Sequence, residues 1–464
     1  MPLTDARGEP TSSSNRAALD GFERALGELN AYVSDPLATI NGVIAADPSF
    51  VLGHLLKAHL LLLSTERGAE PELKRALDAA EALSAKANDR ERGHMKAARA
   101  WLNGNYQGVP ELLEGVLIEH PRDLLALQIA HIGDFFVGDA LSLRDRIARV
   151  LPAWDDKVPG YGFVVSMHAF GLEEMGDYGA AEAAAKRAIA LNPKDAWGIH
   201  AFAHVCEMQA RHADGMHWLE SREQDWSPGN FFAVHNWWHL ALYYLDRGDI
   251  EKVLALYDGP IRVNRSKVAL DMLDAAAMLW RLKLIDVDCG ARWNELSDLY
   301  AAQAEDAYYA FNDMHGMMCF AATGRAAEAK RLLAAQTRLA QEGRGVNAMM
   351  AREVGLPVCL ALDAFGKGDY ATTVELLLNL RPKANRFGGS HAQRDVLTQT
   401  LIVAALKNGQ HRLARALSNE RMALKPKSAS SHAFLARAFA GLGDTSAAAK
   451  AEKTAASLRG PLKH

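Results

Sequence analysis

Five stretches of this chain repeat one theme: GDYGAAEAAAKRAIALNP (176–193), GDIEKVLALYDGPI (248–261), GDYATTVELLLNLRP (368–382), GQHRLARALSNERMALKP (409–426) and GDTSAAAKAEKTAASL (443–458). Each starts with a turn glycine and a polar residue and runs into an amphipathic helix with small residues at the contact positions. Gly104, Gly176 and Gly409 each precede a proline by 17 residues, at Pro121, Pro193 and Pro426. That is the turn-to-stop distance of a tetratricopeptide repeat of about 34 residues. Further turns at Gly138, Arg211, Gly248, Gly324, Gly368 and Gly443 continue the count, with a degenerate turn between Ile285 and Gly290. A chain patterned this way folds as stacked helical hairpins, because one hairpin alone cannot bury its apolar face.

The expected fold is therefore all-α: a right-handed tetratricopeptide-repeat superhelix of about ten hairpins around a concave cavity. No run of alternating Val, Ile and Thr bounded by turn residues argues for strands. Residues 1–16 are polar and read as a disordered tail, followed by one array with N-terminal hairpins (17–157), His-rich central repeats (158–345) and C-terminal repeats (346–464). The connections QEGRGVN (341–347) and RPKANRFGGS (381–390) are long for such an array and suggest lids.

A net charge of −4 from 52 basic and 56 acidic residues leaves no footprint for nucleic acid or an anionic membrane. The four cysteines, Cys206, Cys289, Cys319 and Cys359, form no paired motif. Together with an N-terminus lacking an apolar stretch, this reads as a cytoplasmic protein.

The histidines carry the chemistry. With each turn glycine at repeat position 15, inward-facing positions of the first helix fall near 2, 5, 6, 9 and 13. His235 and His239 fall at 2 and 6, His315 at 6, and Asn312 repeats the phase of Asn236, giving Asn-x-x-His twice. Cys359 takes the same phase again. His200 and His204 are spaced i, i+4, with Glu207 on the same stripe. Trp237 and Trp238 are expected to frame the cavity. His54, His59, His94, His120, His131, His217, His411 and His432 read as ordinary core or surface residues.

Several segments together are similar to the tetratricopeptide repeat protein 38 family. They are GLEE (171–174), NPKDAWGIHAFAHVCEM (192–208), HNWWHLALYYLDRGD (235–249), FNDMH (311–315), AREVGLPVCLAL (351–362) and GGSHAQRDV (388–396). They lie in order between about residues 160 and 427. The resemblance implies roles for Arg352, Gln393, Arg394 and Asp395 but supplies no reaction. It leaves out His168, His391 and Cys206, where the family pattern has other residues.

Two function classes stay open. In the first, a small molecule enters a His-rich pocket, with His200, His204, His235, His239 and His315 as catalytic groups in hydrolase- or lyase-type acid–base chemistry. Asn236, Trp238, Asn312, Asp313, Arg352, Cys359, Arg394 and Asp395 then bind substrate, and the Arg residues suit a carboxylate. A metal-assisted version places zinc, iron or manganese on His200, His204, His235 and His239, with Glu207, Asp313 or His315 as further donors. Cys359 as a nucleophile is a weaker variant of the same class. In the second class the array is a scaffold for a peptide or protein partner.

Overall fold

The computed structural model describes residues 1–460, and helices dominate them throughout. Among the described residues no strand forms; there are two isolated bridges, Thr4 with Pro10 and Val33 with Asn230. No helix among them is long and apolar enough to cross a membrane.

The repeat theme is visible as hairpins. Helix Tyr161–Glu174 packs on Tyr178–Leu191, Leu356–Gly366 on Tyr370–Leu380, and Ala429–Gly441 on Thr445–Arg459. Between the partners the chain reverses through Gly176, Gly368 and Gly443, at φ 80°, 78° and 78°. A left-handed residue ends the first helix, and glycine takes that conformation without a Cβ clash. The next residue caps the second helix: Asp177, Asp369 and Asp444 accept from the backbone N–H groups of Ala180, Thr372 and Ala447. Each such cap contributes about 1 kcal/mol. At the degenerate turns Ala210 and Asp286 adopt positive φ, 52° and 60°, in place of glycine.

The chain divides into two compact units. The first comprises Met1–Phe202, Glu223–Ala233 and Gly343–Met349; the second comprises Ala203–Arg222, Val234–Glu342 and the chain from Met350 onward. One division thus runs through the Ala196–Met208 helix, whereas the sequence had suggested sections ending at 157 and 345.

In the first unit the N-terminal segment is not a disordered tail. Leu3 and Ser13 pair through the backbone at 2.8 Å, and Asp5, Arg7, Glu9 and Thr11 are all buried. Arg90, 1% exposed, joins Asp5 (3.1 Å) to Asp123 (2.6 Å). Nε2 of His94 meets Asp123 at 2.9 Å, and Nδ1 of His94 meets His59 Nε2 at 3.0 Å. Burial alone would raise the Asp123 carboxyl, but Arg90 and His94 outweigh it and hold it well below the carboxylate range. The polar composition that suggested disorder is a set of ion-pair partners. The 343–349 connection is no lid either: Val346 donates to the Gly104 carbonyl at 3.0 Å, and a Cβ on Gly345 would come within 2.5 Å of that oxygen.

The second unit is built around the Ala269–Leu284 and His391–Lys407 helices, tied by Trp280 Nε1 donating to Thr400 Oγ1 at 3.0 Å. The 381–390 stretch, also expected as a lid, begins as a 3-10 helix and is pinned to Phe311. Phe387 packs edge-on against that ring at 5.2 Å, and a Cβ on Gly389 would strike it.

Candidate metal centre

Helix Ala196–Met208 supplies His204, and helix Ala233–Arg247 supplies His235 and His239 one turn apart. An Asx turn opens the second of these helices, with Asn230 accepting from the Phe232 N–H at 2.8 Å. Tyr243 locks the two helices in register through its hydroxyl, which donates to the Ala203 carbonyl at 2.6 Å. In that register the His204 and His239 rings meet at 4.5 Å between centroids, and His235 and His239 at 4.8 Å. One ring nitrogen from each of the three lies within 4.8 Å of the others. His204 and His239 are fully buried and His235 is 4% exposed.

Behind His235 stands Asp274 of the Ala269–Leu284 helix, whose carboxylate meets Nδ1 at 2.7 Å. With the carboxylate ionised, Nδ1 carries the proton and Nε2 the lone pair, the arrangement that orients metal-binding histidines. Burial pushes the Asp274 carboxyl up, and His235 partly offsets this. His239 is held well below the usual imidazole range, first by burial and then by His204 and His235. A neutral, buried imidazole is a poor proton shuttle near pH 7 and a ready nitrogen ligand.

Trp238 frames the group. Its indole stacks on His235 at 5.3 Å, stands edge-on to His239 at 5.0 Å and carries the Arg281 guanidinium at 5.2 Å. Asn236 is fully buried, and its amide has no hydrogen-bond partner among the described residues. His200 lies one turn before His204 on the same helix, continuing its stripe, with its ring against Phe170 and Trp197 in the first unit.

The remaining candidates are not part of the imidazole group. His315 is buried, with Nδ1 bonded to the Phe311 carbonyl at 2.8 Å, and burial lowers its pKa to about 4. Asn312 is half-buried, and Asp313 accepts from Gln336. Arg352 is exposed, lies in a π turn, Ala351–Gly355, and donates to the Ala340 carbonyl at 3.0 Å. Cys359 is fully buried, and burial raises its thiol well above the ordinary range, which disfavours the thiolate that a nucleophile needs. Arg394 holds the 388–389 loop by donating to the Gly389 carbonyl. Asp395 belongs to an ion network described below.

Sequence reasoning passed over Asp274 and Arg281. Both are buried charges on LDMLDAAAMLWRLKL, an otherwise largely apolar helix, and they lie seven residues apart on one face. Charged residues repeating at that spacing in such a helix are the signal that would have found them.

Fold and site together define an all-helical, tetratricopeptide-type repeat protein with a buried cluster of imidazoles. No family model matches the chain. Among solved structures it is similar to the human IFIT1 dimer with m7Gppp-AAAA, at 12% identity over 97% of this chain and 96% of that one, with a TM-score of 0.40. Yeast Tom70 matches at 12% identity over 96% and 88%, with a TM-score of 0.36. The Cut9 and Hcn1 hetero-tetramer of APC/C matches at 12% identity over 96% and 94%, with a TM-score of 0.30.

Proposed function

We propose that this chain is a metal-braced helical-repeat scaffold, in which His204, His235 and His239 hold a transition metal. The observation that carries the proposal is the convergence of three buried ring nitrogens with a carboxylate behind one of them. An all-imidazole donor set suits zinc, and also iron, copper or nickel, better than hard cations. The unpartnered Asn236 amide one residue from His235 adds a polar group suited to a ligand's outer sphere. A metal held in this way ties helices together and leaves a peptide or protein partner as what the array binds. Membership of the tetratricopeptide repeat protein 38 family and a cytoplasmic location belong to the same proposal. They are supported by the motifs that carry the imidazoles and by four buried cysteines.

A second reading is favoured by the neutral state of His239. Three imidazoles leave one coordination position open, where a metal would supply Lewis-acid chemistry on a small molecule. Metal analysis of the purified protein tests both. One metal per chain, lost in His204→Ala and His239→Ala, is the expected result. Zinc-dependent binding or turnover of a small molecule indicates the open site, and binding of a peptide or protein partner without it indicates the bracing one. A wild-type protein that carries no metal and takes up no zinc overturns the proposal.

A further inference from the structure

The second unit contains a cavity of about 360 Å3 that no function above uses. Glu207, Asp246, Asp395, Arg281, Arg421 and Arg437 are among its lining residues. Its volume is at the lower end of the range of small-molecule sites.

Each of these three carboxylates already has its counter-charge or donors. Asp395 takes a two-pronged bond from Arg421, at 3.0 and 2.8 Å. Burial would raise the Asp395 carboxyl, but Arg421 and Lys425 outweigh it and hold it far below the carboxylate range. Glu207 is paired with Lys425 at 2.8 Å. Asp246 accepts from the backbone N–H groups of Ala429 (2.8 Å) and Ser430 (3.1 Å) and from the Ser428 and Ser430 hydroxyls, with His212 at 3.3 Å.

Arg281 and Arg437 are not balanced in the same way. Arg281 is 2% exposed, yet its donors go to the carbonyls of Ala277 (3.2 Å) and Ala392 (2.8 Å), and no carboxylate forms an ion pair with it among the described residues. Arg437, half-buried on the Ala429–Gly441 helix, has no carboxylate partner there either. A buried cation without a counter-ion is costly, and a side chain would ordinarily supply the anion. Asp395, Glu207 and Asp274 favour the charged Arg281 only from beyond ion-pair distance, and burial outweighs them and brings it down to about 10.

We infer that this chamber binds a small anion, a carboxylate or a phosphoryl compound, whose charge is met by Arg281 with Arg437 at the other cation position. The inference does not depend on a metal at the imidazoles. Calorimetric titration of the full chain with succinate and, separately, with inorganic phosphate tests it. Binding of succinate alone identifies carboxylate chemistry, and binding of phosphate alone identifies phosphoryl chemistry. Arg281→Met, close in volume and free of charge, should weaken binding by roughly tenfold or more, the loss of a hydrogen bond to a charged group. Arg437→Gln, nearer the surface, should weaken it too and serves if the first variant folds poorly. Binding of neither anion, or unchanged affinity in both variants, overturns the inference.

Discussion

The hydroxyl of Tyr243 reaches the main-chain carbonyl of Ala203 at 2.6 Å, and this bond joins two helices one residue before His204 and four residues after His239. Tyr243→Phe should therefore cost about 1 kcal/mol in chemical denaturation, the net worth of one such bond. It should also weaken metal uptake, because the two imidazoles lose their fixed separation. Gly215→Ala is the harsher test, since a Cβ there would lie 2.5 Å from the Tyr243 ring. A loss of about 1–3 kcal/mol is expected from overpacking.

Asp274→Asn keeps the shape of the side chain and removes the charge behind His235. Affinity for zinc, measured by competition with a chromophoric chelator, should fall by roughly 10- to 100-fold, the usual effect of losing a partner that orients a ligand. Helical content by circular dichroism should be unchanged.

Arg90 sits between Asp5 and Asp123, with both of its partners fully buried. Arg90→Met should destabilise the first unit by about 3–5 kcal/mol, because it leaves carboxylates buried without their cation. Asp5→Ala removes only the contact to the N-terminal segment. Cleavage by a nonspecific protease before residue 13 should then become rapid while the rest of the chain stays resistant.

His315 gives a pH signature. Burial lowers its pKa to about 4 in the folded chain, against 6.5 for the ordinary group. Below 6.5 the unfolded chain takes up a proton that the folded one does not, so this group removes stability as pH falls and stops doing so near its folded pKa. The contribution is up to about 3 kcal/mol across that window. In His315→Asn, whose amide can still donate to the Phe311 carbonyl, denaturation midpoints measured from pH 7 to pH 4 should fall less steeply than in wild type.

How far the sequence could be read follows from what each residue interacts with. Gly176 and Gly368 announced their turns because a left-handed residue followed by a capping Asp is a local requirement, written in adjacent positions. Ala210 and Asp286 reach the same conformation without glycine, and so left only irregular turns at Arg211 and near Ile285. His204, His235 and His239 were placed on one face by helical period alone. Cys359 followed the same arithmetic and is buried outside the imidazole group, while Arg352, named from the resemblance and not from period, lies exposed in the π turn at Ala351–Gly355. Asp5 and Arg7 read as tail because their partners, Arg90 and Glu23, lie 85 and 16 residues away. Asp274 has meaning only once His235, 39 residues earlier, is known to face it.

The indole of Trp238 is shared by two compartments. Arg281, which lines the chamber, rests on the same ring against which His235 stacks. A guanidinium drawn away by an anion no longer polarises that π system, and an imidazole drawn toward a metal changes the stacking on it. One aromatic ring thus touches both groups. Whatever free energy of coupling it transmits is the same in both directions, so an anion that tightened the metal would be tightened by it equally.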